Sequence, residues 1–283
     1  MSNDLTLQHE SGIIEPGIYS HITNNEYHSS PGISKSGVCE LLKSPAHYYS
    51  RYLDPERVRS QETEAMKIGS AAHKIILEPD SFFVEFDVLP DAVAALNKNT
   101  KEYKAYVSAT RERGKTPLSP DDFKKIEKMA ESVRLHPSAG LLTTGGKAEQ
   151  SMYWIDPDTG VLCKCRPDYW IPGLALPDIK TTADARQDEF AKSCARYDYH
   201  IQAAFYSDGV RVLTGESLPM PFIAVEKDSP FAIGVYNIDD PYLSKAQSDY
   251  KRALETFARC LEACIWPSYP PEVITISLPG WKK

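Results

Sequence analysis

The sequence predicts an α/β protein in which helices flank a β-sheet, with an N-terminal helical extension. Two observations carry that prediction. Up to about residue 136 the apolar residues recur mostly at helical spacing, and from Ala148 the period changes to two. After Thr182 both periods return, with helices read at 186–195, 199–213 and 240–265 and strands at 221–226 and 232–238. With 283 residues, 42% hydrophobic and 25% charged, the chain is long enough for one large domain or two small ones. The division read here is one domain, with an extension over 1–65, a core over 66–265 and a tail over 266–283.

Residues 1–19 read as irregular apart from a short strand in GIIEPGIY, and Ser29-Ser30-Pro31-Gly32 is a loop. Ser34 suits the N-cap of a helix through Lys43, with Val38, Leu41 and Leu42 as its stripe. Ser44-Pro45 restarts a second helix, whose His47, Tyr48, Tyr49 and Tyr52 read as packing surface. Residues 54–65 are a charged linker. The segment 66–77 is a compact helix with Ala72, Ile75 and Ile76 on its buried side. Gly69 and His73, four apart, share a face, so another element can approach beside the imidazole. A lone histidine on such a helix is more often structural than a ligand.

Pro79 ends that helix, and 82–89 alternates as a strand outside the main sheet. Helices follow at 100–114 and 119–136, the second opening on Ser119-Pro120-Asp121-Asp122. Lys98, Lys101, Lys104, Arg111, Arg113 and Lys115 make this region basic, either as a solvated face or as a stretch facing a nucleic-acid backbone. AEQSMYWI and VLCKCRPDYWI then form a hairpin across the Asp156–Gly160 turn. Pro172-Gly173 leads into a strand over 174–182. On the middle strand Lys164, Arg166 and Asp168 share a face, and on the next Asp178 and Lys180 do, with Ile179 turned into the core. Gln202 and Tyr206 share a face of the 199–213 helix, and Tyr250, Leu254, Phe257 and Leu261 form the stripe of the last. The proline-rich tail closes with a short strand or an extended segment.

No apolar run approaches the ~18 residues of a membrane span, and the polar N-terminus lacks a signal-peptide pattern, so the expected location is cytoplasmic. Cysteines 39, 163, 165, 194, 260 and 264 match neither a disulfide framework nor zinc spacing, and read as reduced, mostly buried thiols. A formal net charge of −7 weighs mildly against nucleic acid. An acidic metal site contributes negative charge of its own, which bound cations reverse.

Asp168, Asp178 and Lys180 are the group with chemical content. Two carboxylates and an ammonium at a strand end are a metal-and-base arrangement, although a bare D-x-K is ordinarily a salt-bridged pair at a sheet edge.

Gly69-x3-His73, Glu149, Asp168, Asp178-x-Lys180 and Gln202-x3-Tyr206 together resemble the RecB-type branch of the PD-(D/E)xK nuclease superfamily. More closely, HSSPGISKSG, SPAHYY, GSAAHKIIL, TGVLCKCRPDYW, DIKTT and YDYHIQAAFYSDG resemble the RecE-type exonuclease family (exonuclease VIII), over about residues 17–265. The resemblance implies a restriction-endonuclease-like core with a central mixed β-sheet. It implies Mg2+, which Mn2+ can replace, in two ions per site on His73, Asp168, Asp178 and the carbonyl of Ile179. No iron–sulfur cluster is expected, because the clustered cysteines are lacking. Lys180 would orient or deprotonate the attacking water, its pKa lowered by the cations, and Glu149 would bind metal through water or hold Lys180. Gln202 and Tyr206 would position the site or the DNA backbone, with Lys35, Ser36 and Arg166 as candidates for a 5′-phosphate pocket.

The implied substrate is a linear double-stranded DNA end, degraded 5′ to 3′ to leave a 3′ single strand for recombination, in a prophage setting. A homo-oligomeric ring, a tetramer first, and a single-strand annealing protein are the implied partners. The competing readings are a relative acting on single strands or flaps, a DNA-end-binding module with a decayed site, and a structural metal protein.

Overall fold

A computed structural model describes residues 14–57 and 63–278. The irregular stretch expected before residue 14 and the middle of the charged linker, 58–62, lie outside the described residues.

The Asp156–Gly160 turn organises the first sheet. Asp156 Oδ1 accepts hydrogen bonds from the Thr159 N–H (3.0 Å) and hydroxyl (2.8 Å), and Gly160 takes the left-handed conformation that the turn requires (φ 69°). Around it, β1 (Gly17–Tyr19), β2 (Ser151–Ile155) and β3 (Leu162–Cys165) form an antiparallel sheet in that order. The second sheet contains β4 (Asp178–Thr182), β5 (Phe222–Glu226) and β6 (Ile233–Tyr236). Here β5 is central, parallel to β4 and antiparallel to β6, so the sheet is mixed. Two short pairs complete the strands, Phe86–Val88 beside Thr116–Leu118 and Lys147–Ala148 beside Tyr169–Trp170.

Both arms of the expected hairpin are broken. The first is interrupted at Glu149, whose φ of 50° is left-handed. The second leaves the ladder after Cys165, where Pro167 has no N–H to offer it, and Asp168 occupies the resulting kink instead of a strand. The strand expected over 82–89 is a helical turn, Phe82–Glu85, followed by Phe86–Val88. Phe82 and Phe86 are both buried and stack at 5.0 Å while Val84 is exposed, which suits a spacing of four and defeats alternation.

The principal helices are α1 (Lys35–Lys43), α2 (Glu64–Leu77), α3 (Pro120–Leu135), α4 (Gln187–Arg196), α5 (Tyr199–Thr214) and α6 (Asp240–Ala263). Ser34, Thr63, Ser119 and Asp239 cap α1, α2, α3 and α6 through side-chain acceptors, while Gly215 ends α5 in the left-handed conformation. After α3 the chain restarts at once as the helix Pro137–Leu142. Among the described residues no helix is long and apolar enough to cross a membrane.

Two apolar cores flank the second sheet. Phe222 and Ala224 face a cluster shared with the first sheet and with α1, α5 and α6, including Trp154, Phe205, Tyr250 and Phe257. Ile179, Ile223 and Val225 face a second cluster with Ala72 and Ile76 of α2 and Ile126 and Met129 of α3. Each of these buried Ile, Val and Met side chains contributes roughly 1.5–3 kcal/mol. Gly209 of α5 is sterically required, because a Cβ there would stand 2.7 Å from the Trp154 ring. Cys163, Cys165, Cys194 and Cys260 are buried. At the C-terminal end Trp266 stacks on Tyr48, and the Ala46 N–H donates to the Pro267 carbonyl at 3.0 Å. From there to residue 278 the chain forms no strand.

Candidate metal and catalytic site

The site stands on the free edge of β4. The Asp178 N–H donates to the Pro221 carbonyl (3.0 Å) and the Lys227 N–H to the Thr182 carbonyl (3.1 Å). Residues 178, 180 and 182 therefore exchange hydrogen bonds with β5, and Ile179 directs its peptide groups off the opposite edge. Its N–H is taken by Asp168 Oδ2 at 2.8 Å, and by the same alternation its carbonyl points outward. Asp168 thus reaches β4 through a side chain, with no strand pairing between the two segments.

Asp178 is wholly buried. Its Oδ1 accepts from Gln202 Nε2 at 2.5 Å, and its Oδ2 lies 2.5 Å from Lys180 Nζ. The ion pair lacks the direction of a hydrogen bond, so Oδ2 is a buried oxygen with no hydrogen-bond donor among the described residues. Burial, and then the Asp168 charge, push the Asp178 pKa up to about 6 against the pull of Lys180. Burial also opposes ionisation of Asp168, but His73, Lys180 and the Ile179 N–H outweigh it and hold its pKa below the usual range. His73 on α2 places Nδ1 3.2 Å from Asp168 Oδ2, and this partner raises its pKa despite the opposing effect of burial.

Lys180 is also desolvated, yet Asp178 and Asp168 raise its pKa, and the Tyr199 ring lies 4.8 Å from its ammonium. The lowering expected from the sequence needs the charge of bound cations, which the protein's own groups do not supply. Glu149, with its N–H 3.2 Å from the Asp168 carbonyl, has a carboxyl raised to about 7 by burial and then by Asp168, although its tip reaches solvent.

The remaining expected residues are placed as follows. Gln202 gives its amide to Asp178. Tyr206, half-buried, has its hydroxyl pKa raised by burial first and then by Tyr27, Cys165, Asp178 and Asp168. Arg166 directs its guanidinium to Ser151 Oγ and the Ile22 and Thr23 carbonyls, with Nη1 4.0 Å from Glu149. Lys35 Nζ donates to the Tyr197 carbonyl at 2.6 Å, and no contact draws Lys35 or Ser36 into the carboxylate cluster. Gly69 does bring α2 against β4, but a Cβ there would meet Thr181 Oγ1 at an ordinary 3.7 Å, so the approach does not demand glycine.

Two aromatic residues were missed. Tyr199 could have been found from its spacing, three before Gln202 and seven before Tyr206 on one helix face. Tyr27, beneath the Arg166 guanidinium at 4.5 Å, had no local signal.

Among the described residues no three His, Cys, Asp or Glu side chains converge closely enough to form a complete metal cluster. The donors nevertheless suit a hard divalent ion. Magnesium keeps several waters and needs few protein oxygens, and the edge offers Asp168, the undonated Oδ2 of Asp178 and the outward carbonyl of Ile179. A separate cavity of about 480 Å³ lies between α5 and α6. Two of its polar side chains are already paired, Ser207 to the Leu218 carbonyl and Asp208 to Arg211, Gln247 and Tyr250.

The family described as "PDDEXK-like domain of unknown function" (DUF3799) matches residues 34–275. Among solved structures, a crystal structure of a protein from Eubacterium rectale assigned as an exonuclease superposes with a TM-score of 0.63 at 18% identity, over 92% of this chain and 96% of that one. This likeness is one of fold. An alkaline exonuclease from Laribacter hongkongensis aligns over 64% of this chain and 93% of its own at 12% identity, but a TM-score of 0.28 is too low to support inference. No curated protein matches the sequence.

Proposed function

The chain belongs to the DUF3799 family of PDDEXK-like domains, and from that premise we propose that it is a divalent-metal-dependent nuclease acting on linear double-stranded DNA. The observation that carries this reading is the meeting of Asp168, Asp178, Lys180 and the outward face of Ile179 on one free strand edge. The finer reading is a Mg2+-dependent exodeoxyribonuclease that degrades 5′ to 3′ and leaves 3′ tails for recombination. It is supported by the RecE-type sequence motifs and by the description of the Eubacterium rectale relative as an exonuclease. A homo-oligomer and a single-strand annealing partner belong to the same reading.

Asp168, Asp178, the Ile179 carbonyl and His73 would hold the metal. Bound there, it would supply a nucleophilic water at neutral pH and offset charge on the scissile phosphate. The chain's own groups do the rest. Gln202 fixes the plane of the Asp178 carboxylate. The Tyr199 ring limits where the Lys180 ammonium can stand. Lys180, charged beside Asp178, can donate to the attacking water or to a phosphate oxygen, and a base role requires that its proton leave first.

The deciding experiment is digestion of a 5′-labelled linear duplex beside a closed circular duplex and a single strand, with Mg2+ and with chelator. The expected result is Mg2+-dependent release of the label from the linear duplex while the circle survives. Equal cleavage of the circle, or preference for the single strand, would favour the other readings. Digestion unaffected by chelator would overturn metal dependence.

A further inference from the structure

The C-terminal segment beyond Pro267 forms neither helix nor strand up to residue 278, and Val273, Ile274, Ile276 and Leu278 are 61–101% exposed. Ile274, Ile276 and Leu278 alternate with Thr275 and Ser277, the pattern of a strand with one apolar face. Such an apolar run without a partner on a folded chain marks an interaction segment.

The same chain carries an unpaired strand edge. The Glu226 N–H donates to the Ala232 carbonyl, so the hydrogen-bonded pairs of the β5–β6 ladder are 226/232, 224/234 and 222/236. Ile233 and Val235 therefore direct their N–H and C=O groups off the sheet, and among the described residues no other backbone group bonds to them. Natural proteins rarely leave such an edge bare. Beside it, the helix Pro137–Leu142 packs on β6 and presents Leu141, 76% exposed.

We propose that residues 273–278 add as a strand to the free edge of β6 in a second copy of this chain. The tail supplies the backbone partners that Ile233 and Val235 lack, and its Ile274, Ile276 and Leu278 face covers apolar surface beside Leu141. Among the described residues the segment makes no such pairing in its own chain. α6 starts four residues after β6 and runs 24 residues, about 36 Å, so the tail departs from the helix end remote from β6. Donor and acceptor are different surfaces, so the contact is head-to-tail and closes as an exchanged dimer or a ring. The inference does not depend on the nuclease reading.

The test is light scattering at micromolar concentration on the full chain and two full-length variants. Ile276→Asp spoils the donor at an exposed position. Val235→Pro spoils the acceptor by removing an outward N–H that the β5–β6 ladder does not use. The wild type should assemble at twice the monomer mass or more, and each variant should be monomeric. An equimolar mixture of the two should form a one-to-one dimer, because one keeps its tail and the other its edge. A monomeric wild type, variants of wild-type mass, or a mixture that stays monomeric would each overturn the proposal. Should Val235→Pro fail to fold, a labelled peptide of residues 270–279 replaces it. That peptide should bind the Ile276→Asp chain and not the self-filled wild type, and no binding to the variant counts against the proposal.

Discussion

Replacing Gln202 with leucine removes the amide that donates to Asp178 Oδ1 at 2.5 Å and leaves Lys180 as the carboxylate's remaining partner. A hydrogen bond to a buried charge contributes about 1.5–3 kcal/mol. At about 1.4 kcal/mol per pKa unit, its loss raises Asp178 by roughly one to two units. Starting from about 6, the carboxyl would titrate near 7–8. A carboxylate must be ionised to hold a cation, so at pH 7 protons would compete with magnesium. The ionised fraction falls from about nine-tenths to between a half and a tenth, and the apparent magnesium constant should weaken roughly twofold to tenfold. At pH 9 the carboxyl is ionised in both proteins and the difference should vanish. The assay is the rate of duplex loss against magnesium concentration at both pH values, with near-wild-type turnover at saturation. An unchanged constant at pH 7, or a deficit that persists equally at pH 9, would refute the positioning role of Gln202.

Lys180→Ala should cut turnover at least a hundredfold, in the range for loss of a proton-transfer group. Metal-induced thermal stabilisation should be largely retained, and parallel loss of both would make the lysine structural. Asp208→Ala should destabilise the fold by about 2–4 kcal/mol, because it unpairs the buried Tyr250 hydroxyl and frees Gln247 and Arg211. Burial opposes ionisation of Asp208, but its Tyr250, Gln247 and Arg211 partners hold its pKa below the ordinary 3.8. The wild-type advantage in urea melts should therefore be full at pH 6 and shrink as pH falls through the lowered folded pKa. Arg166→Met should release the segment around Ile22 and Thr23, detected as faster amide exchange there, and an unchanged exchange pattern would contradict the pinning role.

The local periods of the sequence and the observed elements agree where one residue's neighbours decide its conformation. The alternation of Asp178, Ile179 and Lys180 matches β4, and the four-residue spacings of Gly69–His73 and Gln202–Tyr206 match α2 and α5. What alternation could not reveal was the kink at Pro167, which takes Asp168 out of the ladder and sends its carboxylate to the Ile179 N–H. The left-handed Glu149 was equally hidden, since no glycine or asparagine marks it. Arg166 and Lys35 illustrate a different limit. Their charge suggested a phosphate pocket, but both donate to backbone carbonyls more than 140 residues away in the chain, and such partners leave no local pattern. The tail shows the converse. Its closing segment reads as a short strand or an extended segment and forms no strand, and the absence of a partner among the described residues is visible only in three dimensions.

The most direct test of the proposed site is anomalous diffraction from crystals soaked in manganese. Peaks are expected within direct-bonding distance, about 2.1 Å, of the Asp168 and Asp178 carboxylates, beside the Ile179 carbonyl, and absent in Asp178→Asn. Manganese bound elsewhere, or a site that survives Asp178→Asn unchanged, would contradict the assignment of this strand edge as the metal centre.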